Sequence, residues 1–234
     1  TGNSSKEWEE AALYITDSSE IGSSYKGRPV LIWLHEDNGE ESFCGYSYLL
    51  EGFDDVDGEY LDGVYRRLRG IPRDIAVTKR LHIREMTVED LDDIYELYKN
   101  PELLPFLEPL QENREEEAAY LERYINHMYG MFEYGMWLIF LEGKGTLIGR
   151  MGFTNTEEED VLEFGFMIAP KYQGQGYATE AGEAVFSYMK EHFPAFSYKA
   201  VCDNKNRAAV ALCNKLKVPV EINGKNGGFA KESL

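Results

Sequence analysis

"APKYQGQGYATEAGEAVFSYMKEHF" spans Ala169–Phe193, and Gly174 and Gly176 stand directly before its run of helix-forming residues. Amides at the start of a helix have no partner inside it and carry the positive end of the helix dipole. A turn without Cβ atoms lets several of those N–H groups converge on an anion. Small residues at 174, 176 and 178 leave one side of Gln173-Gly174-Gln175-Gly176-Tyr177-Ala178 open. A phosphate or pyrophosphate therefore fits against bare backbone. No Gly-Lys-Ser/Thr follows, which excludes a Walker loop, and Thr179 stands where a dinucleotide fingerprint needs its third glycine. Taken alone, the two glycines read equally well as a plain turn and cap.

Outward from this turn, "EEEDVLEFGFMIAP" brings an acidic turn and a strand, and "SYKAVCD" is a further strand. "NKNRAAVALCNKLK" reads as a helix and "VPVEI" as a short last strand. Upstream, "GMWLIFLEG" and "GTLIGRMGFTN" are strands joined at Gly143–Gly145. Three strands with short connections form an antiparallel meander. "RLHIREM" is a strand. In "TVEDLDDIYELYKN", Thr87 caps a helix, Asp90 sits where a capping-box acid belongs, and Leu91, Ile94, Tyr95 and Tyr98 share a face. "PELLPFLEPL" holds two internal prolines and reads as a loop or broken helix. "REEEAAYLERYINHMYGMF" is expected as one helix with Ala118, Leu121, Tyr124, Ile125 and Met128 on its inner face. The order predicts an α/β fold: a mixed, mainly antiparallel sheet flanked by helices.

Residues 1–10 read as a tail. Residues 11–70 read as a small α/β subdomain of unknown role, with strands in "ALYIT", "PVLIWLH" and "YSYLLEG" and a closing helix in "DDVDGEYLDGVYRRLRG". Asp17 ends the first of these strands, where a turn or cap role outweighs a catalytic one. Residues 71–80, basic and carrying Pro72, read as a joint, and 81–234 as the domain that carries the glycine turn.

The formal net charge of −18 repels nucleic acid and anionic membrane and favours cationic partners, amines among them. No run approaches the length of a membrane span, and "TGNSSKEWEE" lacks the features of a secretory signal. Cys44, Cys202 and Cys213 are an odd number at no metal spacing, which favours free thiols, a reducing cytoplasmic compartment and no metal site.

"QGQGYA" preceded by "FGFMIAPKY" resembles the signature of the GNAT superfamily of N-acetyltransferases. "RLHIREMTVEDLDDIYELY", "EFGFMIAPKYQGQGYATEA" and "NKNRAAVALCNKL" are similar to the opening, middle and tail of its ribosomal-protein N-terminal acetyltransferase branch, over about residues 80–218. The resemblance implies a GNAT-like fold and acetyl-CoA as co-substrate. Gln173, Gly174, Gln175, Gly176, Tyr177, Ala178 and Thr179 would hold its pyrophosphate, and Phe166, Met167 and Ile168 would bond its pantetheine arm as an added strand. Asn206 would contact the cofactor, and it reads equally as an N-cap.

Acetyl transfer to an amine needs a base, because a protonated amine has no lone pair. Several relatives place a catalytic Glu on the strand before the turn. Here that is Glu163, whose strand face also carries Gly165 and Met167. It reads otherwise as a solvated acid continuing "EEED". Glu85 is a weaker rival. The place of the family's general acid, often Tyr, falls on Cys213, which reads more readily as a small buried packing residue. Lys215-Leu216-Lys217-Val218 stands where relatives read Lys-Leu-Gly-Phe. The segment after it is short and Gly-rich, which implies an acceptor site that is open or incomplete. Tyr120, Tyr124, His127, Tyr129, Tyr134 and Trp137, with Glu115 to Glu117, form an aromatic and acidic stretch suited to a cationic amine, or an ordinary amphipathic helix.

The reading is an N-acetyltransferase acting on a primary amine, small molecule or peptide N-terminus, by direct attack in a ternary complex, with a homodimer left open. The alternative is a non-catalytic acyl-CoA-binding module.

Overall fold

The computed structural model describes residues 13–25, 27–54, 56–101, 109–203 and 205–223. The tail at 1–10, most of the proline-rich stretch from Pro101 to Leu110, and the Gly-rich end from residue 224 lie outside these. The chain divides into two compact units, 1–73 and 74–234.

In the first unit, β1 (Tyr14–Thr16), β2 (Val30–Trp33) and β3 (Leu49–Leu50) pair in that order, all parallel. β2 is buried on both faces: Val30 and Ile32 pack with Tyr14, and Leu31 with Tyr48 and Val64. Val64 comes from α2 (Gly58–Leu68), which Asp57 caps by accepting from the Tyr60 amide at 2.8 Å. The sequence reading missed α1 (Ser19–Ser24). Its serines and glycine resemble a turn, yet Ser18 caps it and Tyr46 reaches the Ser19 carbonyl. Asp17 lies 3.4 Å from His35, while Asn38 donates to the Asp17 carbonyl at 2.8 Å.

Among the described residues, the second unit is built on a seven-stranded sheet. β4 (Asp74–Val77), β5 (Leu81–Arg84), β6 (Met136–Leu141), β7 (Thr146–Asn155) and β8 (Val161–Ile168) run antiparallel in chain order. β9 (Ser197–Asp203) then pairs parallel to β8, and β10 (Val220–Asn223) parallel to β9. The expected meander is thus β6–β8. β4 falls within the stretch expected as a joint; its short alternation turns back through Thr78, whose amide donates to the Leu81 carbonyl at 2.8 Å.

α5 (Tyr177–His192) lies on the face of Trp137, Phe153 and Phe164, where Phe186 and Tyr188 meet their rings. α3 (Leu91–Tyr98) lies on the other face, with the Arg150 guanidinium over the Tyr98 ring. Its approach is fixed by the expected capping box: Asp90 accepts from the Thr87 amide at 2.8 Å and pairs with Arg84 at 2.6 Å.

The single helix expected over "REEEAAYLERYINHMYGMF" changes character. α4 (Arg114–Tyr124) winds on as a π-helix over Ile125–Phe132. The cause lies in two phenols five residues apart, which an α-helix would turn about 140° from each other. Here both reach one strand residue: Tyr124 accepts from the Met136 amide at 2.7 Å, and Tyr129 donates to the Met136 carbonyl. Wider winding brings the two hydroxyls to the same side.

β6 and β7 approach closely because Gly152 has no side chain. A Cβ there would stand 1.9 Å from the Gly135 carbonyl oxygen. Backbone cannot move aside as a side-chain tip can, so Gly152→Ala is expected to destabilise the protein by about 3 kcal/mol, read as a lowered denaturation midpoint. Gly52→Ala, with nothing within 4 Å of its Cβ position and no left-handed φ, is the control for a glycine in open space.

Candidate active site

β8 and β9 pair over only three residues, Val161–Glu163 with Ser197–Lys199. Beyond that they part, so alternate backbone groups along Phe164–Ile168 point away from β7 with no neighbouring strand. α6 (Arg207–Leu216) stands across the gap. Asn206, Ala209, Leu212 and Lys215, three residues apart in succession, give it one face. That face, together with Phe166, Met167 and Ile168, walls a cleft of about 540 Å³.

The glycine turn closes one end of the cleft, with Gln173, Gly174, Gly176, Tyr177, Ala178 and Thr179 in its wall. Gly174 (φ 70°) and Gly176 (φ 82°) are left-handed, which side-chain-bearing residues rarely adopt. The turn is braced from within. Gln173 donates its amide to the Ile168 carbonyl at 2.8 Å, and Gln175 donates to the Lys171 carbonyl at 2.9 Å. Gln175 is thus a brace and lies outside the cleft wall. Gly176 caps α5 with no side chain to offer. The amides of Tyr177, Ala178 and Thr179 have no acceptor within the helix, and the first helical bond runs from Glu180 back to the Gly176 carbonyl at 3.1 Å.

Asn206 caps α6 from the cleft wall. Its side chain accepts from the Ala209 amide at 3.1 Å, a cap worth about 1 kcal/mol, and it also lines the cleft. Lys215, which sequence reasoning left out of the site, brings a cation to the same wall.

Glu163 is half-buried at the last point where the three strands run together, opposite Thr154 on β7 and Lys199 on β9. Burial holds its carboxyl above the usual range; the Lys199 ammonium pulls it part of the way back, and Glu221 adds to the rise. Lys199 is itself bonded to Glu158 and, at 3.3 Å, to Glu221. Strand alternation puts Glu163 on the same face as Met167, four residues along at the cleft. Glu85 is buried instead beside Tyr129, whose phenol is pushed well up by burial, then by Tyr124 and by Glu85.

Cys213 is fully buried and absent from the cleft wall. Its thiol shares a hydrogen bond with Cys202, and that bond, with burial, raises it far beyond a thiol's ordinary value. The aromatic stretch expected as an acceptor wall is largely core: Tyr124, Tyr129, Tyr134 and Trp137 are all buried. Of its acids, Glu117 is also buried, accepting from the Gln111 amide at 2.7 Å, and Glu115 and Glu116 are exposed.

The sequence model of the acetyltransferase (GNAT) domain matches residues 80–218. The uncharacterized N-acetyltransferase YnaD of Bacillus subtilis is 25% identical over 157 residues, covering 67% of this chain and 86% of that one. Among solved structures, RimL, a ribosomal L7/L12 alpha-N-protein acetyltransferase, matches in complex with coenzyme A with a TM-score of 0.54 at 19% identity, over 62% of this chain and 82% of that one. The ribosomal-protein-S5-alanine acetyltransferase of Vibrio fischeri matches with a TM-score of 0.54 at 14% identity, over 60% and 80%. At these identities the structural matches establish a common fold.

Proposed function

The chain belongs to the GNAT acetyltransferase family, whose members transfer an acyl group from acetyl-CoA, and from that premise we propose that it acetylates a primary amine on a small molecule or peptide N-terminus. The observation that carries this reading is the amide-lined turn at the end of a cleft opened by the parting of β8 and β9. The cleft suits a long, thin co-substrate with an anionic end: a strand edge with no neighbouring strand, the helix amides of the glycine turn, and the Lys215 cation in its wall.

In this reading, Gly174 to Thr179 bind the diphosphate and the backbone of Phe166–Ile168 aligns the pantetheine arm. Acetyl-CoA, when bound, supplies the activated acetyl thioester. Glu163 takes the proton from the acceptor ammonium, directly or through water, so that the nitrogen lone pair is free to attack within a ternary complex. The raised carboxyl of Glu163 suits a base more than an ordinary solvated glutamate does. We assign Cys213 to packing, because its thiol is fully buried, hydrogen-bonded with Cys202 and outside the cleft wall. A CoA thiolate is weakly basic enough, at a pKa of about 8.5, to take its proton from solvent.

The acceptor is expected to be cationic, given the acidic surface of the chain. Thiol release from acetyl-CoA, measured over polyamines, small amines and ribosomal-protein N-terminal peptides, tests the assignment. Turnover with one class supports it. Tight coenzyme A binding with no release on any amine would instead favour an acyl-CoA-binding module.

A further inference from the structure

Arg80, in the turn between β4 and β5, reaches the glycine turn from nearly a hundred residues away. Its Nη1 donates to the Gln175 carbonyl at 3.0 Å, and its guanidinium lies over the Tyr177 ring, 4.4 Å from the centroid. Its Nε donates to Glu180 at 2.6 Å and its own amide to the same carboxylate at 3.1 Å, joined by the Thr78 hydroxyl at 2.6 Å.

Two consequences follow from this geometry. In a trans peptide the C=O and N–H of one unit point in opposite directions. Holding the Gln175 oxygen toward Arg80 therefore turns the Gly176 N–H the other way. Gly176 lines the cleft, and Arg80 stands outside it, on the side where a Gly176 Cβ would come within 3.6 Å of Nη2. The amide is thereby aimed inward.

The second consequence concerns charge. Glu180 puts a carboxylate in the first turn of the helix whose amides face the cleft. Burial alone would raise that carboxyl, but hydrogen bonds from Thr78 and Arg80 outweigh it and hold it below the usual range. It is ionised at neutral pH, and the arginine beside it offsets that charge toward an arriving anion.

We propose that Arg80 is a positioning residue for the diphosphate turn, aiming the Gly176 amide through the Gln175 carbonyl and offsetting the Glu180 carboxylate. This rests on the acetyl-CoA reading of the cleft.

Calorimetry with coenzyme A, on variants whose fold is checked by circular dichroism, tests it without needing the acceptor. Arg80→Ala is expected to bind about tenfold more weakly than wild type, the scale of one charge-assisted hydrogen bond. Adding Glu180→Gln to Arg80→Ala is expected to recover about threefold of that loss, because the unopposed carboxylate is gone. A general weakening of the fold would show no such recovery. Arg80→Ala within twofold of wild type, or a double variant as weak as the single one, overturns the proposal. If Arg80→Ala does not fold, Arg80→Lys keeps the charge without the fork that spans Gln175 and Glu180. It is expected to bind about threefold more weakly, and wild-type affinity there overturns the proposal. Wild type failing to bind coenzyme A removes the cleft reading and this inference together; wild type binding with Arg80 variants unaffected removes this inference alone.

Discussion

Gly174→Val and Gly176→Val are each expected to weaken coenzyme A binding at least about a hundredfold while the sheet stays folded. Space is not the cause, because a Cβ at Gly174 meets nothing within 4 Å. The cause is conformation. Both glycines have left-handed φ values, 70° and 82°, and a β-branched residue held there costs about 1–2 kcal/mol. The turn escapes that strain by flipping its peptides, which re-aims the amides away from the cleft and loses their bonds to the anion as well. Gly143 is the internal control. It has φ 67° in the β6–β7 hairpin, with open space around it. Gly143→Val carries similar strain, so it is expected to lower stability and leave affinity for coenzyme A unchanged.

Glu163→Gln is expected to lower kcat at neutral pH by about 10²–10³-fold, with little change in affinity for acetyl-CoA. The pH dependence carries the sign. A base works when ionised, and the Glu163 carboxyl is raised by burial. Wild-type kcat/KM should therefore fall as pH drops through a value above the ordinary glutamate pKa of about 4.3. In the variant that limb disappears. Its rate instead climbs steadily with pH as the free amine becomes populated, narrowing the gap to wild type. A variant that keeps the full rate across the pH range refutes the assignment of Glu163 as base.

Much of this was legible in the sequence because local chemistry and tertiary structure agree. The capping box of Thr87 and Asp90 formed as read, since its groups lie three residues apart. The glycine turn was legible because left-handed backbone at the start of a helix needs residues without side chains. Asn206 was legible as a cap for the same local reason.

What escaped was set by contacts distant in sequence. Arg80 carries no local sign of its role; its partners Gln175 and Glu180 arrive only when the β4–β5 turn meets α5. Lys215 joined the cleft because the parting of β8 and β9 leaves room for one face of α6, and no residue announces where two strands will separate. The π-winding at Ile125 was invisible because the helical pattern continues through it. Only the Met136 peptide, shared by Tyr124 and Tyr129, requires the wider turn. The same tyrosines, with Trp137, looked like a substrate wall because composition does not tell a buried aromatic from an exposed one.

The most direct test is a crystal structure grown with excess acetyl-CoA. Density for the diphosphate is predicted against the amides between Gly174 and Thr179, with the pantetheine arm lying along Phe166–Ile168 like an added strand. A co-substrate bound elsewhere, or a turn that stays closed to it at saturating concentration, contradicts the account.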